Sequence, residues 1–384
     1  MSSKPRLASL FSGIGGFELG LHSAGFETVS MCEWWQPAQE VLRTRFPDIE
    51  LAGDIAEVDS IPHADVVTAG FPCTDLSQAG RTAGITGDQS GLVQKALDLV
   101  DRHPCTWLVL ENVRNMLPLH KGRAMAAITA RLDEMGFRWA YRVVDSRFTG
   151  VPQRRQRVIL VASRTEDPRG VLFADDRGEP RRTEAQRDAY GFYWTEGLRG
   201  LGWAADAIPT LKGGSTVGIP STPAVWLPGE APGHKFVLPG VSAAERLQGF
   251  RTGWTRTGGT VARDGVRLKL AGNAVTVGVA RWVGRRLLDP GDWSNASQRP
   301  LQSGDAWPHA AWGERGRAFA VEVSMWPERH RYRHLRAVIQ DDHKPLTHRA
   351  TSGFLSRLER GYLRAPDQFR LDLKEHVELT SVSV

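Results

Sequence analysis

The sequence predicts an α/β fold built on a mostly parallel sheet. Three observations carry this. Short apolar runs alternate with amphipathic segments from residue 6 to about residue 160. Glycine-rich or polar pieces recur directly after those runs. The rhythm then breaks at residue 164 and returns only as isolated helical patterns after residue 241. Alternating strands and helices are the mark of βαβ units with a parallel sheet.

The strands are expected at "RLASLF" (6–11), "ETVSMCE" (27–33), "IELA" (49–52), "DVVTAG" (65–70), "TWLVLEN" (106–112), "WAYRVVD" (139–145) and "RVILVAS" (157–163). Between them, "GGFELGLHSAG" is amphipathic and closed by Gly25, and "QPAQEVLRTRF" has Pro37 placed for a first helical turn. The segment "MAAITARLDEMG" ends at Gly136, a residue suited to a helix C-terminus. Residues 164 to 241 are rich in Arg, Asp, Gly, Pro and Trp and read as a smaller, irregular, substrate-facing domain. Helical patterning returns in "SAAERLQGF" (242–250) and in "GNAVTVGVARWVGRRLL" (272–288), read as one late helix with Asn273 as its N-cap. The expected organisation is a main domain of residues 1–163 plus 242–288, the smaller domain 164–241, and a C-terminal extension 289–384.

Length and composition bound the function. The chain has 384 residues, 41% of them apolar and 24% charged, ordinary values for a soluble globular protein of two or three domains. No stretch approaches the ~20 apolar residues needed to span a bilayer, and no secretory leader is expected from "MSSKPRLASLFSG". The three cysteines are widely spaced, so neither a disulfide framework nor a metal site is expected, and the cytoplasm is the expected setting. A formal net charge of +6 favours a polyanionic partner such as nucleic acid. In the tail, "RHRYRHLR" (329–336) and "TSGFLSRLERGYLRAP" (351–366) interleave basic and aromatic residues. They suit either a phosphate backbone or a solvated helical extension.

In open α/β sheets ligands sit outside the carboxyl ends of the strands. Here Phe11-Ser12-Gly13-Ile14-Gly15-Gly16 follows the first strand, Glu33 ends the second, Gly53-Asp54-Ile55 follows the third, Pro72-Cys73 the fourth, and Glu111-Asn112 ends the fifth. The glycine loop permits close approach of backbone to ligand, or is a structural turn. Glu33, 20 positions on, suits the ribose hydroxyls of an adenosine cofactor, or simply ends a strand in solvent. Glu18 stands where a dinucleotide fingerprint has its third glycine, which disfavours NAD. Asp54 either accepts from an adenine amino group or caps the next turn. Cys73 lies in a Gly/Ser/Thr/Gln loop, a setting for a nucleophile rather than for a buried apolar thiol. Glu111 is either a site acid or a solvated strand end. Arg155 and Arg157, two apart, share one face of an extended segment. They converge there on an anion or carbonyl oxygen, or line a basic edge.

In order, "LFSGIGGFELGL", "EWW", "GDI", "GFPCTDLSQAG", "SGLV", "LVLENV", "GVPQRRQRV", "RLQGF" and "AGNAV" resemble the motifs of the bacterial-type DNA (cytosine-5) methyltransferase family over residues 7 to 288, about three quarters of the chain. The resemblance implies a class I S-adenosylmethionine-dependent methyltransferase domain, Rossmann-like, with residues 164–241 as the target-recognition domain. It implies that Phe11, Gly13, Ile14, Gly15, Gly16, Glu33, Trp34, Asp54, Ile55, Pro72, Leu92, Asn273 and Val275 line the S-adenosylmethionine site. It implies Cys73 as the nucleophile that adds to C6 of cytosine. Glu111 then holds N3 and the exocyclic amine, Arg157 holds O2, and Arg155 supports the site. Ser77, Gln78 and Arg81 fall on the loop that closes over a flipped-out base and contacts DNA. Double-stranded DNA is the implied partner, bound by a monomer, and family habit adds a cognate restriction endonuclease or defence system. Two positions depart from the pattern: Ser9 stands where the family has an acid and Thr74 where it has Gln, which bears on cofactor affinity and loop contacts. An RNA cytosine methyltransferase of the same fold and a catalytically silent DNA-recognition module are the competing readings.

Overall fold

A computed structural model describes residues 3–72, 90–180, 188–195, 200–213, 222–257, 261, 263–294, 298–302, 304–361 and 363–381. Cys73, Ser77, Gln78 and Arg81 lie outside the described residues, as do Thr74 and most of the glycine-rich stretch 80–91. The chain divides into two compact units. The first comprises 1–148, 156–179 and 275–329; the second comprises 149–155, 180–274 and 330–384. The stretch from 289 onward is thus shared between them, its first part as sheet in one unit and its last part as strand and helices in the other.

The strands, in chain order, begin with β1 (Arg6–Leu10), β2 (Glu27–Cys32), β3 (Glu50–Ala52), β4 (Val66–Ala69), β5 (Trp107–Val113), β6 (Arg138–Asp145), β7 (Gln153–Arg154) and β8 (Gln156–Ser163). They continue with β9 (Tyr190–Phe192), β10 (Ala204–Ala205), β11 (Ile208–Pro209), β12 (Ala224–Trp226) and β13 (Phe236–Pro239), then β14 (Gln298–Pro300), β15 (Ala310–Glu314), β16 (Arg317–Val321) and β17 (His343–Pro345). The helices are α1 (Gly16–His22), α2 (Gln36–Arg45), α3 (Ser90–Arg102), α4 (Arg123–Glu134), α5 (Pro168–Leu172), α6 (Val241–Leu247), α7 (Asp264–Asn273), α8 (Val277–Leu288), α9 (Leu335–Ile339), α10 (His348–Arg360) and α11 (Asp367–Ser381).

The first unit holds a ten-stranded sheet in the order β14-β16-β15-β6-β8-β5-β4-β1-β2-β3. The five strands from β3 to β5 run parallel, and β8 is antiparallel to both of its neighbours, β5 and β6. β4 is buried along its whole length and β5 over all but its last residue. That continuous apolar character follows from cover on both faces. One face packs Val93, Leu97 and Val100 of α3 and Met125, Ile128 and Leu132 of α4. The other packs Phe17 and Leu21 of α1 and Trp282 and Val283 of α8. The chain leaves β1 in one direction for β2 and β3 and returns on the other side for β4 and β5. The switch point therefore lies between β1 and β4, where such folds place their ligands.

The late helix is interrupted. α7 ends at Asn273, the next residue Ala274 is extended, and α8 starts after Thr276. Asn273 is therefore the last residue of one helix rather than the N-cap of the next. Thr276 takes the capping position, with its hydroxyl 3.0 Å from that of Ser146.

The second unit is built on an antiparallel sheet, β10-β9-β12-β13-β17. Phe192, Trp226 and Phe236 of this sheet pack against Phe354 of α10 and Phe369 of α11. The tail helices are thereby part of a core. Of the tail histidines, His334 binds Asp206 at 2.7 Å, His343 binds the Ile339 carbonyl and His348 the Val377 carbonyl. Among the described residues no group of His, Cys, Asp and Glu is arranged to hold a metal ion, and no helix is long and apolar enough to cross a membrane.

Candidate active site

The loop after β1 is shaped by its backbone. Phe11 has φ 57°, Gly13 φ 58° and Gly15 φ 86°, the left-handed region that a side chain makes costly. Phe11 alone there carries a side chain, a strain of the kind found at ligand-binding turns. Gly16 starts α1 against the carbonyl of Val275, and a Cβ on Gly16 would lie 2.4 Å from that oxygen. Two predicted cofactor residues far apart in sequence, Gly16 and Val275, are thus in contact. Ile14 is buried beside them in the loop.

Glu33 follows β2, and its carboxylate spans the loop. One oxygen accepts from the Gly13 N–H at 2.8 Å, the other from the Trp35 N–H at 2.8 Å. Burial pushes its pKa up, and the backbone N–H donors of Trp35, Gly13 and Trp34 oppose that rise. Each carboxylate oxygen has a second lone pair, so the group retains acceptor capacity for a diol. Trp34, beside it, is 71% exposed, an indole face without cover. Asp54 is exposed and does cap the following turn, Oδ1 accepting from the Ala56 N–H at 2.9 Å. Ile55 is buried in the core, and Leu92 on α3 packs against the same cluster. Acceptors for hydroxyls and an amino group, a bare indole and a glycine-rich turn together fit an adenosine-containing cofactor.

At the end of β4, Phe71 is buried and its carbonyl accepts from the Asn112 side chain at 3.1 Å, while Pro72 is exposed. This bond ties the residues immediately ahead of Cys73 to the end of β5. Gly70 marks a convergence. A Cβ there would lie 3.7 Å from Val275 Cγ2, 3.8 Å from Glu111 Oε2 and 4.0 Å from the Phe11 carbonyl. Neither Asn112 nor Gly70 stood among the sequence-derived site residues, although both lie inside the quoted motifs.

Glu111 and Arg157 form a buried ion pair, Arg157 Nε to Glu111 Oε1 at 2.8 Å, across the β5/β8 pairing. Arg155 does something different. It belongs to the second unit, fully buried, and its guanidinium donates to the carbonyls of Leu211 (3.2 Å), Gly272 (3.0 Å) and Ala274 (2.8 Å). The two arginines therefore do not converge on one group. Arg155 braces the end of α7, because a buried guanidinium must spend its donors. Asn273 also belongs to the second unit, where its side chain faces Gly213.

The two described cysteines are not nucleophiles. Burial pushes the Cys32 thiol up to about 12, with Glu33 and Asp54 adding to it, and the Cys105 thiol up to about 11. Both stay protonated at neutral pH, and a thiol is a poor nucleophile. Sequence reasoning also missed one buried acid. Glu18 on α1 is wholly buried and faces the hydroxyls of Ser9 and Ser12, with no hydrogen bond of normal geometry to either oxygen. Burial pushes its pKa up. A carboxyl group thus stands beside position 9 even though position 9 is serine.

Comparison with known proteins places the arrangement. The fold is that of the methyltransferases: the crystal structure of the S. pombe Dnmt2 methyltransferase matches with a TM-score of 0.57 at 15% identity, covering 75% of this chain and 99% of that one. The family model for C-5 cytosine-specific DNA methylases matches residues 6–189. The Type II methyltransferase M2.BsuMI of Bacillus subtilis (strain 168) is 44% identical over 367 residues, 92% of this chain and 93% of its own length. The Type II methyltransferase M.HhaI of Haemophilus parahaemolyticus is 31% identical over 163 residues, 42% of this chain and 50% of its own. The chain belongs to the C-5 cytosine-specific DNA methylases.

Proposed function

We propose that this chain transfers a methyl group from S-adenosylmethionine to C5 of a flipped-out cytosine in a specific duplex DNA sequence, as the modification enzyme of a restriction or defence system in the cytoplasm. The observation that carries this reading is the convergence at Gly70, where Phe11 of the loop, Val275 and the Glu111 carboxyl meet three residues before Cys73.

The roles follow from the chemistry. C5 of cytosine is a weak nucleophile within an aromatic ring. Addition of the Cys73 thiolate to C6 breaks that aromaticity and moves electron density to C5. Glu111 donates to N3 and accepts from the exocyclic amine, holding the ring as charge develops. Arg157, ion-paired with Glu111, orients that carboxyl and offers its remaining donors to O2 of the base. Glu33 takes the ribose hydroxyls, Trp34 stacks on the adenine and Asp54 accepts from its amino group. When bound, S-adenosylmethionine would supply an electrophilic methyl group on a sulfonium centre: C5 takes that methyl as its bond to sulfur breaks, and the neutral thioether leaves. Loss of the C5 proton to a base then restores the ring as the Cys73–C6 bond breaks and the thiolate is regenerated. A base inside a duplex is out of reach of a thiolate, so the target leaves the stack. Residues 164–241 read the sequence, and Ser77, Gln78 and Arg81 meet the DNA.

Bisulfite sequencing of DNA from a methylation-free host expressing this chain tests the reading. Protected cytosines in one sequence context are expected, and Cys73→Ala abolishes them while S-adenosylmethionine binding persists. Methyl incorporation into tRNA alone, with no protected cytosine in DNA, would overturn it.

A further inference from the structure

A surface cleft of about 770 Å³ opens in the first unit beside the end of β5, lined among others by Arg114, Asn115, Lys121, Asp305, Trp307 and His309. It sits on the carboxyl edge of the sheet. Arg114 follows β5 directly, three residues after Glu111. His309 precedes β15, whose first residue pairs with Arg142 near the end of β6, and its carbonyl accepts from the Val143 N–H at 2.7 Å. β5 and β6 run the same way because both are antiparallel to β8.

We infer that this cleft binds a phosphodiester of the substrate DNA close to the flipped base. This rests on the function proposed above. Arg114 and Lys121 supply positive charge, and both are exposed. Arg114 donates to Gln156 Oε1 at 2.7 Å and lies 2.7 Å from His309 Nε2. Because arginine has no acceptor, His309 Nε2 must accept, which leaves Nδ1–H as the ring's donor. The imidazole in the cleft wall is therefore neutral and adds no negative charge there. Lys121 has no ion-pair partner among the described residues. The Asp305 carboxylate in the wall is already taken by the Gln302 N–H at 3.0 Å and lies 3.9 Å from Arg299.

The turn that presents Lys121 is strained and held from outside. His120, Lys121 and Gly122 have consecutive φ values of 51°, 60° and 82°, a left-handed run costly for side-chain-bearing residues. Trp307 locks it: its indole N–H donates to the Gly122 carbonyl at 3.0 Å, and a Cβ on Gly122 would meet the ring at 2.6 Å. Residues 298–321 thus extend the sheet and also fix a cation at its catalytic edge. Arg114 stands three residues past Glu111, at most ~10 Å along the chain, or two to three base steps at ~3.4 Å each. Lys121 lines the same cleft, which thus faces the backbone flanking the target.

The test is fluorescence anisotropy with a labelled duplex oligonucleotide, at several salt concentrations, for the wild-type chain, Lys121→Gln and Lys121→Glu. Loss of one phosphate contact weakens binding roughly threefold at low salt and flattens the plot of log affinity against log salt by about 0.9, and charge reversal does more. The melting temperature of both variants stays at the wild-type value, which shows that the variants fold. Wild-type affinity and salt slope in both variants would overturn the site, as would a loss confined to tRNA. Methylation is assayed separately. A wild-type chain that binds duplex with Lys121-dependent salt sensitivity yet transfers no methyl to DNA would refute the proposed function and leave the site standing.

Discussion

Glu18 and Glu33 are both carboxyls drawn into the protein beneath one loop, yet they are held differently. Glu33 accepts two backbone N–H groups, whereas Glu18 faces only hydroxyls and feels the repulsion of Glu33. A carboxyl whose pKa is raised on folding binds its proton more tightly in the native state. Its contribution to stability is full below the ordinary value of 4.5 and is lost as pH rises through the raised value. The stability of the wild type relative to Glu18→Gln should therefore fall as pH rises above 4.5, measured by urea unfolding. A difference that stays flat contradicts a protonated, buried Glu18. The sequence offered little warning, since Glu18 falls in an amphipathic segment where a solvent-facing side chain is the ordinary expectation. By contrast, the placing of Glu111 and Arg157 at the ends of apolar strands was legible, whereas their ion pair, which needs the β5/β8 pairing, was not. Arg155 was not, because its direction depends on a segment that leaves β8 for the other unit.

At the scale of elements, the seven expected strands of the first unit all form, within one or two residues, because their apolar runs are bounded by turn residues, and the central ones, β4 and β5, are buried on both faces. The hairpin β15–β16 escaped the reading. Its two-residue turn is Arg315-Gly316, with φ of 49° and 74°, where the familiar signal is Asn-Gly or Asp-Gly. The break between α7 and α8 escaped it too, since Ala274 and Val275 suit a helix locally and leave it only for tertiary reasons. One of those reasons is the contact of the Val275 carbonyl with Gly16. Gly16→Ala drives a Cβ into a backbone atom that cannot rotate away, at a cost of about 1–3 kcal/mol. A lowered melting temperature and a raised KM for S-adenosylmethionine are expected together. An unchanged KM would mean that the loop does not carry the cofactor.

For the whole molecule, the sheet places its ligand-facing loops on one edge and continues past β6 into three further strands at residues 298–321. The second unit comprises residues 149–155, 180–274 and 330–384, the last two segments sharing an aromatic core. That sharing is invisible to a linear reading, which sees a linker and a tail. The proposed chemistry turns on one bond between sulfur and a pyrimidine. A duplex carrying 5-fluorocytosine at the target position, incubated with the enzyme and S-adenosylmethionine, tests it most directly, because fluorine at C5 blocks release. A denaturation-resistant protein–DNA complex is expected, with the DNA attached at residue 73 and absent in Cys73→Ala. Normal methylation of ordinary duplex with no such complex on the fluorinated one would contradict it.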